Sequence, residues 1–458
     1  MSKIRAAKIE LYHRKGKIHS RAVAGRFNAL RWGMVWVTQI VFYGVCWLEW
    51  DNRQAVLFDI AHERFYVFGW VLWPQDALLL ALVLIASATA LFLVTALAGR
   101  LFCGFACPQT VYTMIFTRIE AWIEGDHVAR LRLDALPFGP HKLALRVTKH
   151  ALWTLVALWT GITFVGYFSP IDELVPRLAA ADLGPWEGFW VLFYSLFTYV
   201  QAGLAREAMC QHMCPYSRFQ GVMFDAATRS VTYDDGRGEP RATRRGGTAG
   251  SSDIGDCVDC GLCVEVCPTG IDIRDGLQYQ CINCGLCADA CDEVMTRVGA
   301  PTGLIRFAAE QELAGKQLQS PLRRPRVVVY AATLLLIVAC TGWFATQRSP
   351  LLVDILRDRG TLLRESEHGI ENSYTVRLMN RSLTEELVEI SADGLPGLRI
   401  LSKATHTLPP DSVTSLAVTL VVADASSSEG LQPIRFVVRS KRDSRVRHIE
   451  PSSFALPR

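Results

Sequence analysis

The chain has 458 residues, half of them hydrophobic, with twelve tryptophans and a positive mean hydropathy. That length holds two or three domains, and the apolar excess argues against one large water-soluble body. The net charge of +4 is too small to indicate a nucleic-acid partner, so the position of the cations matters more than their number.

Residues 1–31 carry Lys3, Arg5, Lys8, Arg14, Lys15, Lys17, Arg21, Arg26 and Arg31. They are expected to form a basic cytoplasmic arm without a cleavable leader, since no apolar stretch interrupts them. Five apolar runs follow, at 32–48, 77–98, 151–168, 188–205 and 327–346. Each is near the length that crosses about 30 Å of hydrocarbon. The second carries no charge, whereas the first and fourth contain Gln39 and Gln201. The predicted architecture is a five-span α-helical bundle with four spans in 32–235 and the fifth at 327–346.

The loops orient it. The loop after the first run has only Arg53 and Arg64, and the loop after the third only Arg177. Residues 100–150 and 206–326 are richly basic and belong on the cytoplasmic face. The first outer loop is crowded with Phe65, Tyr66, Phe68, Trp70 and Trp73, which predicts an interfacial aromatic belt. Residues 236–256 read as a flexible linker, 257–300 as a cofactor domain and 301–326 as a basic return to the membrane. From 350 to 458 the pattern turns to alternating, β-branched stretches at 373–378, 387–391, 414–422 and 433–439, separated by turn residues. That spacing predicts an antiparallel, immunoglobulin-like β-sandwich on the periplasmic side.

Of fourteen cysteines, eight fall in two adjacent copies of C-x2-C-x2-C-x3-C: Cys257, Cys260, Cys263 and Cys267, then Cys281, Cys284, Cys287 and Cys291. In this spacing three thiolates hold one iron–sulfur cube and the fourth reaches to the other. One [4Fe–4S] cluster is therefore assigned to Cys257, Cys260, Cys263 and Cys291, and the second to Cys281, Cys284, Cys287 and Cys267. A zinc knuckle or a disulfide framework explains neither the spacing nor its duplication. Such thiols need a reducing compartment, which agrees with the charge-based orientation. The domain is expected to be a ferredoxin-like α+β unit.

Four more cysteines form a second repeat, Cys103-Gly-Phe-Ala-Cys107-Pro108 and Cys210-Gln-His212-Met213-Cys214-Pro215, each ending an inward-running span. Cysteines four apart share a helix face. The proline ends that turn and opens the next helix. Cys107 and Cys214 are then expected at helix N-termini, where the dipole favours thiolate. Such a pair can bind a soft metal, cycle between dithiol and disulfide, or simply pack. Met209, His212 and Met213 add donors that suit copper. Whether the two pairs face each other in one chain or across a homodimer stays open. Cys46 and Cys340 lie in apolar runs and read as small buried hydrophobes. His150 begins the third run alone, as an interfacial side chain, and no paired histidines suggest haem. No G-x-G-x-x-G or flavin motif is present, so an electron donor must bind as a partner.

The combination resembles one family. Phe65-Tyr66-Val67-Phe68-Gly69…Trp73-Pro74-Gln75-Asp76, Gly99-Arg100-Leu101-Phe102-Cys103…Cys107-Pro108-Gln109-Thr110, Cys210…Cys214-Pro215-Tyr216 and Cys291-Asp292-Glu293-Val294-Met295 occur in that order, with a β-rich tail. This is similar to the CcoG/FixG/RdxA family of accessory proteins for cbb3-type cytochrome oxidase, over nearly the whole chain. The resemblance implies two [4Fe–4S] clusters, reduction of Cu(II) to Cu(I) in the cytoplasm of a bacterium and a periplasmic immunoglobulin-like tail. It also implies cbb3 oxidase assembly components as partners and copper handling by Cys103, Cys107, Cys210 and Cys214. One departure is Cys291-Asp292, where many two-cluster ferredoxins have Cys-Pro. Three functions stay in view: a cupric reductase fed by a soluble or quinol donor, a quinol-oxidising conduit, and a non-enzymatic assembly factor with structural clusters.

Overall fold

The structure is a computed structural model describing residues 18–242, 254–317, 319–358, 363–423, 430–443 and 445–457. The expected basic arm and the 236–256 linker lie partly outside the described residues. Two units are distinguished, 1–69 with 76–339 and 70–75 with 340–458.

Up to its cofactor region the first unit is mainly helical, with short strands between residues 49 and 67. Its helices are α1 (Arg26–Val45), α2 (Ala77–Ala98), α3 (Leu101–Phe105), α4 (Pro108–Glu124) and α5 (His127–Ala135). They continue with α6 (Pro140–Val165), α7 (Ile171–Ala179), α8 (Pro185–Tyr199) and α9 (Pro215–Met223). Prolines open α4, α6, α8 and α9, where a missing N–H costs nothing. Among the described residues, three stretches are long and apolar enough to cross a membrane: Pro74–Ala98, Pro185–Ala205 and Pro325–Thr346. Only 6% of the first and of the third is buried within the protein, so their apolar sides need another apolar medium. The runs at 32–48 and 151–168 are helical as far as Val45 of α1 and Val165 of α6, but do not reach that apolarity. In α6 the reason is visible, because Lys149 stands where its apolar run begins and is committed to buried ion pairs.

One expectation changes here. His150 is tied into the helix packing: its Nδ1 lies 2.8 Å from the Tyr199 hydroxyl and its ring meets Trp153 edge-on. Of the aromatic loop, Phe65 and Tyr66 are half-buried in a hairpin pairing Val56–Asp59 with Arg64–Val67, and Arg53 lies over the Tyr66 ring at 4.3 Å. Trp73 is only 8% exposed against 51% for Trp70, so the aromatics of this loop differ in how far they reach the surface.

The cofactor region is small and α+β. Ser230–Tyr233 pairs antiparallel with Ile305–Ala308, and between them lie the helices Leu262–Glu265 and Leu286–Arg297. Val231, Ile273, Met295 and Leu304 form its dry centre.

The second unit is a β-sandwich. One sheet runs Leu398–Ile400, Ser412–Val422, Gly369–Asn380, Leu351–Arg357, with Arg364–Ser366 paired beside Gly369–Asn380. The other runs Thr405–Leu408, Glu386–Asp393, Leu431–Ser440, Arg447–Ala455. All these pairs are antiparallel. Strict alternation explains the core: Ile370, Tyr374, Val376 and Leu378 point inward from one sheet and meet Ile390, Ile434, Phe436 and Val438 of the other. The Tyr374 hydroxyl donates to the Ser453 carbonyl (2.9 Å), satisfying its one buried polar atom.

Candidate functional site

The two cluster motifs fold alike because their loops need the same backbone. Asp259 and Asn283 take φ of 49° and 60°, and the glycines that follow, Gly261 and Gly285, take 71° and 76°. Asp, Asn and Gly are the residues that adopt this left-handed region at low cost. Each loop then feeds a helix carrying the third cysteine.

Cys257, Cys260, Cys263 and Cys291 line one small cavity, with Tyr233, Met295, Leu304 and Ile305 as its apolar wall. Cys267, Cys281, Cys284 and Cys287 line a second, with Val231, Ile271, Ile273 and Ile282, and Cys263 touches both. The fourth thiol of each motif thus stands with the other motif's three. Among the described residues no three His, Cys, Asp or Glu side chains close on a single ion. Four thiols spread around a cavity fit a cube better than a lone metal. Burial pushes the thiols of Cys263, Cys281 and Cys291 up to about 12, and that of Cys287 well above its ordinary value. Unligated they hold their protons at neutral pH, and iron would displace them.

Arg274 braces the first loop. It donates to Asp259 (Nη1–Oδ1 2.5 Å) and Asp272 (Nη2–Oδ2 2.6 Å). Burial works against the Asp272 charge, but the Arg274 hydrogen bonds outweigh it and hold the carboxyl below its usual range.

The paired C-x3-C-P segments meet each other and the second cavity. Cys103 sits on α3 and Cys107 caps α4; Cys210 sits on a π-helical turn, Met209–Met213, and Cys214 caps α9. The Cys103 Sγ donates to Gln220 Oε1 of α9 (3.4 Å), and Gln109 Nε2 of α4 donates to the carbonyls of Gln201 (2.8 Å) and Arg206 (3.0 Å). Arg100, buried before the first pair, donates to the carbonyls of Ser217 and Tyr279 and to that of Cys281 (3.4 Å). Gly104, between the first two thiols, lies against the second cluster loop. A methyl there would stand 2.8 Å from the Ile282 carbonyl oxygen, 2.9 Å from that of Asn283 and 3.0 Å from the Cys284 Cα.

The thiolate expectation is corrected at Cys107. The N–H groups of Thr110 and Gln109 do lower its pKa, but burial outweighs them and raises it overall. Cys103 is pushed up to about 12, by burial first and by Cys107 second, with Arg100 opposing and Cys210 and Cys214 adding to it. Burial likewise brings Cys210 up to about 11. Cys214, His212 and Met213 are exposed. Cys46 is buried, while Cys340 is only half-buried.

Behind these thiols is an ion-pair network that composition did not signal. Glu120, fully buried, accepts from Arg206 (2.8 Å), Arg130 (3.4 Å) and Lys149 (3.5 Å), and Lys149 also meets Glu124 (2.8 Å). Arg206 holds φ of 42° where α8's π-helical extension, Val200–Ala205, stops, a strained conformation for a residue with a side chain. Its bonds to Glu120 and to the Gly203 carbonyl (2.9 Å) fix the point at which the chain leaves the helix for Cys210.

Comparison with known proteins matches the same regions. Family models match residues 205–310 as a 4Fe-4S dicluster domain, 80–125 as a 4Fe-4S binding domain and 341–457 as the Ig-like fold at the C-terminus of FixG. The chain is 35% identical to the nitrogen fixation protein FixG of Rhizobium meliloti over 99% of this chain and 96% of that protein. It is 38% identical to protein RdxB of Cereibacter sphaeroides over 87% of this chain and 88% of that protein. A crystal structure of a FixG-related protein from Vibrio parahaemolyticus aligns at 22% identity and a TM-score of 0.22, covering 24% of this chain and 97% of that one. With relatives this similar over almost its full length, the chain is an iron–sulfur electron-transfer protein of the FixG/RdxA family.

Proposed function

We propose that this protein is a membrane-bound reductase that passes electrons from its two clusters to Cu(II), supplying Cu(I) for assembly of a cbb3-type cytochrome oxidase. In this reading α1, α2, α6, α8 and Pro325–Thr346 all span the bacterial inner membrane. The clusters and both C-x3-C-P segments face the cytoplasm, and the β-sandwich faces the periplasm, where assembly components would meet it.

The observation that carries the reading is the joint at Arg100 and Gly104. Through it the backbone between Cys103 and Cys107 touches the backbone around Cys284, and Arg100 bonds to both α9 and the Cys281 loop. A one-electron acceptor held at these thiols would therefore lie next to the second cluster site. When bound, the clusters supply one-electron carriers. Cys103, Cys107, Cys210 and Cys214 offer soft sulfur, and the exposed His212 and Met213 beside Cys214 add imidazole and thioether. Cu(II) takes one electron and becomes Cu(I), which such donors prefer. Arg100 positions the two segments, and as the cation binds the buried thiols release their protons to solvent.

The test is anaerobic. Reduced, cluster-loaded protein is mixed with stoichiometric Cu(II) while EPR follows the clusters. Reoxidation with formation of Cu(I) is expected. A variant with all four of Cys103, Cys107, Cys210 and Cys214 changed to serine should retain its clusters and bind less copper. Equal copper binding by that variant removes the site assignment.

A further inference from the structure

A cavity of about 370 Å³ opens beside the second cluster site, and of its lining the copper reading uses only Cys210. Ligand pockets for small molecules begin at about 300 Å³. Thr269 and Ile282 line this cavity and also the cavity of Cys267, Cys281, Cys284 and Cys287. A molecule bound here is one side chain from those thiols, which marks it as an electron partner. Another wall is Arg206, Glu207 and Cys210, where the apolar stretch Pro185–Ala205 ends.

We propose that this cavity binds a hydroquinone and admits its electrons to the second cluster. The inference rests on the electron-transfer reading, and it stands whether or not copper is the acceptor.

Three observations select the ligand. The first is charge. Arg21, Arg31, Arg118, Arg130 and Arg206 line the cavity against one acid, Glu207. Glu265 answers Arg21, and Glu120 answers Arg130 and Arg206. Arg31 and Arg118 meet no carboxylate among the described residues. Away from the Cys210 edge such a lining disfavours a bare metal cation, whereas ring oxygens accept from arginine in both the reduced and the oxidised ligand.

The second is an orphaned acceptor. Gln109 spends its Nε2 on the carbonyls of Gln201 and Arg206, which fixes the amide and leaves its buried Oε1 without a hydrogen-bond partner. A buried acceptor left unpaired is costly, and a ligand hydroxyl would satisfy it. The apolar wall of Trp32, Met114 and Leu286 suits the ring.

The third is electron count. The clusters take electrons singly. A nicotinamide delivers a hydride and needs a flavin to split the pair, and the sequence has no flavin or dinucleotide motif. A hydroquinone releases electrons one at a time. It loses two electrons and two protons to become a quinone. The electrons cross the Thr269–Ile282 wall and reduce two Cu(II) to two Cu(I), and the protons pass to the Glu207 carboxylate and on to solvent.

The test uses full-length, cluster-loaded protein in detergent, titrated calorimetrically with a short-chain benzoquinone in the absence of copper. The native protein is expected to bind it. Met114→Trp, which fills the cavity, and Gln109→Leu, which removes the acceptor, should each weaken binding about tenfold or more. Visible cluster absorbance, unchanged in both variants, shows that they are folded. The matching short-chain quinol should reduce the clusters anaerobically, and NADH should not. No binding by the native protein, equal binding by both variants, or reduction by NADH alone overturns the proposal. If quinol reduces the clusters and Cu(II) fails to reoxidise them, the copper reading alone falls. If Cu(II) reoxidises chemically reduced protein and no quinone binds, this proposal alone falls.

Discussion

The two cysteine repeats in this protein obey different constraints. The cluster loops are near copies of each other down to the backbone, with Asp259 and Gly261 matched by Asn283 and Gly285 in the same left-handed conformations. The C-x3-C-P segments share a spacing but not a conformation. The first pair bridges a short α-helical turn, while the second lies on a π-turn behind the strained Arg206. A cube with fixed geometry demands one loop shape twice. The helix-end thiols are shaped instead by what lies behind each of them: a cluster loop behind the first, a buried ion-pair network behind the second.

Removing those supports should separate the two repeats. The largest effect is expected at Glu120. Glu120→Ala leaves Arg206, Arg130 and Lys149 buried without their shared carboxylate, a loss of about 3–5 kcal/mol. Thermal unfolding followed by size-exclusion chromatography should show little folded protein, while Glu124→Ala, which leaves Glu120 in place, should be milder.

Next comes Gly104→Ala. The added methyl has no room against the 282–284 backbone, which should cost about 1–3 kcal/mol and disturb the second cluster before the first. EPR and iron analysis should show about half the iron lost, with one cluster signal kept. Gly44→Ala, where no atom lies within 4 Å, is the control and should change neither. Equal loss of both clusters in Gly104→Ala would mean that the joint supports the whole cofactor region.

The smallest effect is expected at Asp225. Burial works against its charge, but hydrogen bonds from Arg324 outweigh that and hold the carboxyl below its ordinary value. A carboxylate depressed in the folded state stabilises above the ordinary value of about 3.9, and the contribution is lost as pH falls through the lower folded value. Asp225→Asn should destabilise the protein slightly at neutral pH, by less than about 1 kcal/mol after solvent screening, read as a small drop in melting temperature. The native and variant curves should converge in acid. A gap that persists below that range would assign the effect to packing.

The sandwich was legible because alternation is a local signal. The 373–378 pattern lies inside Gly369–Asn380, and the strand extends because Ile370 and Asn372 continue the inward face. The grouping of the eight motif cysteines into two cavities was legible in their spacing. What the sequence hid was tertiary. Nothing local says that Arg100 reaches the Cys281 loop, or that Glu120 collects cations from three other segments. Gly104 carried a faint signal as a glycine inside a C-x3-C. The helix-dipole argument for thiolate at Cys107 failed because desolvation depends on what covers the end of a helix, and that is decided by distant parts of the chain. The cavity beside Thr269 and Ile282 has no linear signature either, being built from residues 20–32, 109–130, 206–210 and 268–286.

The contact at Gly104 also bears on how the cofactor is loaded. Cys284 is buried, and the turn carrying Cys103 lies directly on its backbone. With that turn docked, one side of the second site is closed by backbone rather than by side chains that could swing away. A cube inserted before the 257–300 segment met the helices would then be held as by a latch. A chain that docked first would have to part the joint again, or load the site from the side that Thr269 and Ile282 line.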